Sequence, residues 1–288
     1  MEQDLSHILI ASDIDGTFAG KRGKMVEANY EAVQRFAQMG GVFTFATGRA
    51  PVHLGEPILR AAPYVGCHVV TANGMCLYDL QSRRVVEEHF LNSDRMVEAT
   101  VRLLAQYPDL GVRLAAQEGI VVNDLDNPYL RAESGAAFDG RVVMPTDDWR
   151  GLHVYKFVLR ADVQTLTQVK QFLLDEYAEC FAPNLSASSL LDIQAHGRSK
   201  ATMLCELRDR LSGQRGKQML LIAVGDEEND IEMLRAADVA VCPANAREAV
   251  KAICKYCLCH HNYGVIADLL QVLLQDPMER FVQGACTE

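Results

Sequence analysis

The sequence has no run of lysines or arginines, and its 38 acidic residues outnumber its 28 basic ones. The formal net charge of −10 gives a surface that repels nucleic acid and anionic lipid, since no basic patch offsets it. We therefore expect neither nucleic acid nor a membrane among the partners of this protein. Its oligomeric state is not indicated by the sequence.

Long apolar stretches are also missing. The longest apolar runs, such as residues 219–224, are far shorter than the roughly 20 residues that span a bilayer. The first residues, MEQDLSH, lack the basic and then apolar segments of a secretory signal. The nine cysteines are odd in number and follow no disulfide-framework spacing, which favours a reducing compartment. These absences predict a soluble cytoplasmic protein.

The composition is that of a globular protein, with 49% apolar and 23% charged residues in a chain of 288. At this length a single core is near its practical limit, so we expect one large domain and a smaller companion.

Short apolar runs without polar alternation predict strands that are buried on both faces, as in a parallel sheet. These runs are residues 8–11, 42–46, 68–71 and 219–224. Residues 27–39 carry apolar side chains at helical spacing and end at two glycines, which completes a β-α-β unit with the first two runs. Further helices are predicted at residues 229–236, 246–253 and 265–274, with strands at 239–242 and 256–259.

The middle of the chain follows another pattern. Amphipathic helices at residues 93–106 and 163–176 are mixed with an alternating strand at 153–159. We interpret residues 83–193 as an α+β module inserted into an α/β core, which comprises residues 1–82 and 194–288.

The first predicted strand ends in two carboxylates, Asp13 and Asp15, followed by Gly16 and Thr17. Asp and Gly are ordinary turn residues, so an acidic turn would also explain them. A functional role is favoured by position, because ligands of open parallel sheets bind beyond the carboxyl ends of the strands.

The second strand is followed by Thr47, Gly48 and Arg49, at the equivalent edge. A hydroxyl and an unhindered backbone N–H suit an anion at such a turn. A polar turn that caps a helix accounts for these residues equally well.

The segment GDEENDIEML, residues 225–234, follows another buried strand. Favourable residues at a helix start would explain Asn229 and Asp230, but not the third acidic residue, Asp226. Asp226 and Asp230 are expected to crowd against Asp13 and Asp15, and such carboxylates stay ionised together only around a cation. All-oxygen ligation of this kind suits Mg²⁺.

Lys200 begins a predicted helix at residues 200–211. A lysine at a helix start is usually solvated, and the helix dipole disfavours it there. Beside an acidic metal site, however, its charge would hold a phosphoryl group and a nucleophile in register.

Taken together, D-x-D-G-T, then T-G-R, then a lysine, then G-D-x-x-N-D resembles the haloacid dehalogenase (HAD) superfamily of phosphatases. The long insertion, preceded by TANG at residues 71–74, is similar to the Cof-type branch with a C2-type cap. The resemblance spans nearly the whole chain. It implies a Rossmann-like parallel-sheet core and an inserted α+β cap that closes over the site and selects the leaving group.

The resemblance also implies roles for the individual residues. Asp13 would be the nucleophile that forms an aspartyl-phosphate, and Asp15 the general acid and then the base. Thr47, Lys200 and the backbone N–H of Gly48 would bind the phosphoryl oxygens.

The remaining implied roles concern the metal and the substrate. Mg²⁺ would be held by the Asp13 carboxylate, the Asp15 carbonyl and Asp226, with Asp230 supporting them. Asn229 would orient Lys200 or the substrate, and Arg49 belongs to the expected substrate-binding residues.

The expected activity is Mg²⁺-dependent hydrolysis of small phosphorylated metabolites, such as sugar phosphates, nucleotides or phosphorylated cofactors. A phosphotransferase or phosphomutase is an alternative, and so is a metabolite-binding regulator without turnover. The intact Asp13, Asp15, Lys200 and Asp226 argue against the regulator, which needs no nucleophile. The physiological substrate cannot be read from the sequence.

The turn at residues 260–265, HHNYGV, departs from the acidic, serine- or asparagine-containing turn common in the family. Because it is remote from the four motifs along the chain, we expect the departure to affect local structure only. The cysteines and histidines of residues 254–261 lack the second ligand pair that a structural zinc site usually needs.

Overall fold

The computed structural model describes residues 4–131, 142–144, 146–187 and 189–275. Residues 132–141 of the predicted insertion and 276–288 of the predicted core lie outside the described residues. The chain divides into two compact units, Met1–Glu87 with Ser199–Glu288, and Glu88–Arg198. We call them the core unit and the inserted unit. Their bounds fall a few residues beyond the predicted ones.

The strands, in chain order, are β1 Ile8–Ser12, β2 Val42–Phe45, β3 Val69–Thr71, β4 Cys76–Asp79, β5 Arg84–Glu88, β6 Gly111–Ala116, β7 Gly119–Val122, β8 Val142–Val143, β9 Val154–Arg160, β10 Phe181–Ala187, β11 Leu190–Ala195, β12 Leu220–Val224, β13 Val239–Pro243 and β14 Tyr256–Leu258. The α-helices are α1 Glu27–Gln38, α2 Gly55–Ala61, α3 Ser93–Gln106, α4 Pro128–Arg131, α5 Val163–Tyr177, α6 Lys200–Arg215, α7 Ile231–Ala236, α8 Glu248–Lys251 and α9 Val265–Gln275. In the described part of the chain, none of the helices combines the length and the apolar character that a membrane crossing requires.

The core unit is built on a parallel sheet with the strand order β14-β13-β12-β1-β2. Alternate residues of β1 pack into separate apolar clusters, Ile8 and Ile10 into one with α1 and α9, and Leu9 and Ala11 into another with α6 and α7. Burial on both faces explains why these strands are continuous apolar runs in the sequence. The predicted α/β fold is confirmed.

β3 differs from the other predicted strands of the core. Its pairing along the strand is antiparallel, with β4, in a separate sheet β3-β4-β5. A single parallel bridge, between Ala46 and Val70, connects it to the end of β2. The apolar run at residues 68–71 therefore marks a buried strand, as predicted, but not a full member of the parallel sheet.

The register of the central strands brings their carboxyl ends to one level. Ser12, the last residue of β1, lies opposite Val224 of β12 and Phe45 of β2. The polar residues that follow each strand therefore begin at the same edge of the sheet. This edge is where a ligand site is expected in such a fold.

The inserted unit is an α+β structure with the strand order β10-β11-β9-β6-β7-β8. The pairs are antiparallel, apart from the parallel pair β7 and β8. Leu103 of α3, Leu166 and Leu173 of α5 and Phe157 of β9 belong to one apolar cluster. The inserted unit thus has an apolar core of its own.

Candidate active site

A buried lysine links two aspartates at the carboxyl edge of the core sheet. Nζ of Lys200 lies 2.6 Å from Oδ1 of Asp13 and 2.7 Å from Oδ1 of Asp230. Lys200 is 1% exposed and Asp230 is fully buried. The carboxylates raise the pKa of Lys200 although burial opposes its charge, so the side chain is an ammonium group. A solvated lysine is therefore excluded.

Lys200 is fixed by the way α6 begins. Ser199 forms a capping box with Thr202, in which each side chain bonds the backbone N–H of the other. Gly74 packs so closely on this helix start that a Cβ there would lie 2.0 Å from the Ser199 carbonyl oxygen. Since Gly74 also has a φ of 95°, only glycine fits this turn, which packs against the start of the helix that carries Lys200.

Asp226 follows β12 and faces the loop after β1. Its Oδ1 accepts a hydrogen bond from the Thr17 hydroxyl at 2.6 Å. Gly16 packs against the same carboxylate, and a Cβ at Gly16 would lie 2.2 Å from Oδ2 of Asp226. Thr17 and Gly16 therefore set the orientation of Asp226.

Asp230 is held by the turn that joins β12 to α7. Its Oδ2 accepts hydrogen bonds from the backbone N–H groups of Asp226 and Glu227, at 2.9 and 3.1 Å. The other oxygen, Oδ1, bonds Lys200. Asp230 thus ties the lysine to the backbone that carries Asp226.

The site has the donors that a hard divalent cation requires. One carboxylate oxygen from each of Asp13, Asp226 and Asp230 lies within 4.8 Å of the others. Burial raises the pKa of Asp13 well above its usual range and that of Asp226 to about 7. The neighbouring carboxylates raise both pKa values further, and the Lys200 ammonium opposes this. Oxygen donors with surplus negative charge fit Mg²⁺.

Asp15 does not join this carboxylate group, although the sequence predicts that it would. It is exposed, and Arg49 donates to it through Nε at 2.9 Å and Nη2 at 2.6 Å. Nη1 of Arg49 donates to the Leu54 carbonyl at 2.9 Å. Arg49 thus supplies the opposite charge to Asp15, as Lys200 does to Asp13 and Asp230.

The turn after β2 presents a hydroxyl and a glycine at the same edge. The Thr47 hydroxyl accepts a hydrogen bond from the Arg49 backbone N–H at 3.1 Å and keeps its own proton for another partner. Gly48 packs against Asn73, since a Cβ at Gly48 would lie 3.0 Å from Asn73 Oδ1. The same oxygen accepts a hydrogen bond from Asn229 Nδ2 at 3.5 Å. Asn229 therefore contacts Asn73, whereas Lys200 is oriented by aspartates.

Two side chains of this site, Thr17 and Asn73, were given no role by the sequence motifs. Thr17 orients Asp226, and its motif, D-x-D-G-T, already contained it. Asn73 is 2% exposed with a φ of 56°, and the Asn-Gly pair of TANG was the available signal for such a turn.

Residues 10–270 match the family described as haloacid dehalogenase-like hydrolases. The chain belongs to this family. Curated relatives of this hydrolase are named as phosphatases. It is 25% identical to the pyridoxal phosphate phosphatase YbhA of Escherichia coli, over 85% of this chain and 90% of the relative. It is 26% identical to the HMP-PP phosphatase of Yersinia pseudotuberculosis, over 84% of this chain and 86% of the relative.

A third relative of this hydrolase is the 5-amino-6-(5-phospho-D-ribitylamino)uracil phosphatase YitU of Bacillus subtilis, at 24% identity over 85% of this chain and 89% of the relative. Among solved structures, SMU.1108c of Streptococcus mutans superposes with a TM-score of 0.79 at 19% identity, covering 93% of this chain and 99% of that one. BT1666 of Bacteroides thetaiotaomicron gives a TM-score of 0.76 at 22% identity, covering 92% and 93%. The predicted family, fold and enzyme class, a phosphatase-type hydrolase, are confirmed.

Proposed function

We propose that this hydrolase is a Mg²⁺-dependent phosphatase of small phosphorylated metabolites that works through an aspartyl-phosphate on Asp13. The observation that carries the proposal is the position of Asp13, which bonds the buried Lys200 and lies within reach of Asp226 and Asp230. A nucleophile, a fixed positive charge and a metal-binding carboxylate group are the components that phosphoryl transfer requires.

Asp13 is placed to attack with one oxygen while the other is anchored. Lys200 bonds Oδ1, and among the described residues no hydrogen bond to Oδ2 is found. Oδ2 forms the new bond to phosphorus as the bond between phosphorus and the leaving oxygen breaks. The product of this first step is the aspartyl-phosphate and an alcohol.

Asp15 supplies the proton that the alcohol needs. In the second step it takes a proton from the attacking water, and the bond between Asp13 and phosphorus breaks to release phosphate. Asp15 is exposed and two residues from Asp13, so it can serve both steps from the solvent side. Arg49 orients the Asp15 carboxylate between these roles.

The phosphoryl oxygens are received by groups of fixed orientation. The Lys200 ammonium, the Thr47 hydroxyl and the backbone N–H of Gly48 lie at the carboxyl edge of the sheet, and positive or N–H groups there oppose the charge of the phosphoryl group. Asn229 and Arg49 complete the proposed binding residues. When bound by Asp13, Asp226 and the Asp15 carbonyl, with Asp230 supporting them, Mg²⁺ would neutralise charge on the phosphoryl group.

The substrate class is suggested by the relatives. Their names include pyridoxal phosphate, HMP-PP and a phosphoribityl-amino uracil, all small phosphorylated compounds. We extend this class to the present chain, together with sugar phosphates and nucleotides.

The test is phosphate release from a panel of these compounds, with Mg²⁺ and with EDTA. We expect release that requires Mg²⁺ and that Asp13→Asn abolishes, because an amide is not a nucleophile. Asp109→Asn, an exposed aspartate of the inserted unit, is the matched control and should retain activity.

Two results would contradict the proposal. Undiminished activity of Asp13→Asn would remove Asp13 as the nucleophile. Mg²⁺-dependent binding of panel members without release from any of them would indicate a metabolite-binding regulator.

A further inference from the structure

The segment of residues 16–21, here called the catalytic loop, follows the D-x-D motif directly. Gly16 begins it with a φ of 88°, and the backbone N–H of Ala19 bonds the Ile14 carbonyl at 2.8 Å. The backbone N–H groups of Thr17 and Phe18 also bond carbonyls of the preceding segment, at 3.4 and 3.3 Å. Side chains from the far end of the chain add further hydrogen bonds to the loop backbone.

Asn245, in the turn after β13, bridges the catalytic loop to the turn at residues 260–265. Its Nδ2 donates to the Gly16 carbonyl at 2.8 Å, and its Oδ1 accepts from the backbone N–H of His261 at 2.9 Å. Asn245 is half-buried, so both bonds are partly shielded from water. Both ends of the amide are in use, which fixes its orientation.

Two neighbouring side chains bind the other end of the catalytic loop. The His261 ring Nδ1 lies 2.7 Å from the Ala19 carbonyl, and Asn262 Oδ1 accepts from the Lys21 N–H at 2.8 Å. We call Asn245, His261 and Asn262 the polar clamp. The expectation that the 260–265 turn matters only locally is therefore wrong, because the fold brings it to the loop after the first motif.

The bond to Gly16 falls at a point where the backbone cannot shift freely. Gly16 already packs on the Asp226 carboxylate, so the loop has no room to move in that direction. Asn245 restrains the Gly16 carbonyl, which belongs to the residue next to Asp15. The main chain that carries Asp15 is thus held by Asn245, while its carboxylate is held by Arg49.

We propose that Asn245 is a positioning residue that sets the place of Asp15 for proton transfer to the leaving group, with His261 as its support. This inference rests on the proposed phosphatase function. The effect of Asn245 on the rate should therefore depend on the leaving group of the substrate. A leaving group that departs as a stable anion needs no proton, whereas an alkoxide needs one from Asp15.

The experiment compares p-nitrophenyl phosphate with the best alkyl phosphate of the substrate panel, at saturating Mg²⁺. The value of kcat/KM reports the steps up to formation of the aspartyl-phosphate, in which Asp15 acts only as the acid. For Asn245→Ala we expect kcat/KM to fall at least about tenfold more for the alkyl phosphate, since a general acid contributes about 10²- to 10⁴-fold.

Asn123→Ala is the matched control in the inserted unit. Asn123 makes the same pair of bonds, from Nδ2 to the Leu110 carbonyl at 3.1 Å and from the Val112 N–H to Oδ1 at 2.8 Å. We expect it to leave the ratio of the two kcat/KM values unchanged.

A second variant keeps the test decisive if Asn245→Ala does not fold. His261→Phe retains the backbone N–H that donates a hydrogen bond to Asn245. It removes the hydrogen bond between the ring Nδ1 and the Ala19 carbonyl. We expect the same selective loss, of smaller size. Equal losses for both substrates, or no loss, in the folded variant would overturn the inference while the phosphatase function stands. Absence of Mg²⁺-dependent release by the wild type would instead overturn the proposed function.

Discussion

Arg49 binds the carboxylate of Asp15 through two parallel hydrogen bonds, a planar fork, with Nε 2.9 Å from Oδ2 and Nη2 2.6 Å from Oδ1. The two side chains are 25% and 59% exposed, so water competes with the pair. Exposed ion pairs add little to the free energy of unfolding. The contact can therefore orient Asp15 while contributing little stability. We expect its loss to lower kcat more than it lowers the free energy of unfolding.

Replacement of Arg49 by lysine should separate these two effects. A lysine keeps the positive charge but cannot form the planar fork. We expect kcat of Arg49→Lys to fall about tenfold, which corresponds to the loss of one charge-assisted hydrogen bond. The free energy of unfolding should change by about 1 kcal/mol or less. Arg102→Lys, which breaks a two-bond contact with Glu176 in the inserted unit, is the control for kcat. A similar kcat loss in both variants would argue against an orienting role.

Lys200→Met should destabilise the metal-free protein strongly. It leaves Asp13 and Asp230 buried without a counter-charge, which costs on the order of 3–5 kcal/mol. Thermal unfolding with and without Mg²⁺ measures the effect, and we expect Mg²⁺ to recover part of the lost stability while activity stays absent.

The matched control for Lys200 is Lys156→Met. Lys156 forms a 2.9 Å ion pair with Asp192 in the inserted unit, and both side chains are largely buried. This variant should also melt earlier, but Mg²⁺ should stabilise it no more than it stabilises the wild type. Equal Mg²⁺ recovery in both variants would contradict a metal site beside Lys200.

Gly16→Ala should disrupt the site through a clash. Gly16 and Gly23 both have positive φ values, 88° and 74°, so an alanine is strained at either position. Only at Gly16 would the new Cβ meet Asp226, whereas nothing lies within 4 Å of it at Gly23. We expect Mg²⁺ affinity, measured by titration calorimetry, to fall in Gly16→Ala and to persist in Gly23→Ala. Equal affinities would show that Asp226 does not ligate the metal.

The stabilisation by Mg²⁺ should increase with pH. Burial raises the pKa of Asp226 to about 7, against 3.8 for an ordinary aspartate. Between these values the folded metal-free protein holds a proton that the unfolded chain has released, so its stability falls as pH rises from about 4 to about 7. Mg²⁺ binds the ionised carboxylate and competes with this proton.

The rise in Tm on adding Mg²⁺ should therefore be larger at about pH 8 than at about pH 5.5. Asp226→Asn cannot bind that proton, so this variant should lose the Asp226 part of the pH dependence. A wild-type Mg²⁺ effect that is equal at both pH values would contradict the role given to Asp226.

The positions of Asp13, Asp226 and Lys200 could be anticipated because they depend on local patterns. Each aspartate follows a strand that is buried on both faces, and such strands are continuous apolar runs in any sequence. The carboxyl ends of parallel strands meet at one edge, so residues far apart in sequence could be placed together. The charges of the motif residues then predicted the metal.

The partners of Asp15 and Gly16 could not be anticipated in the same way. Arg49 was expected among the substrate-binding residues, but its pairing with Asp15 was not predicted, because no periodicity indicates which acceptor a long side chain reaches. Asn245 lies 229 positions from Gly16, and a single asparagine in a turn carries no pattern that points to its partner.

The sequence by itself thus determined the α/β core, the edge at which the site lies and the aspartates that are proposed to carry its chemistry. Tertiary structure alone decided which groups restrain these residues and the backbone beside them: the Thr17 hydroxyl bonds Asp226, Arg49 bonds Asp15 and Asn245 bonds the Gly16 carbonyl. Burial patterns recur along a strand or helix and can be read from the chain. A hydrogen bond between distant side chains depends on atomic positions within a few tenths of an ångström, and these exist only once the sheet, its helices and the final turn have packed together.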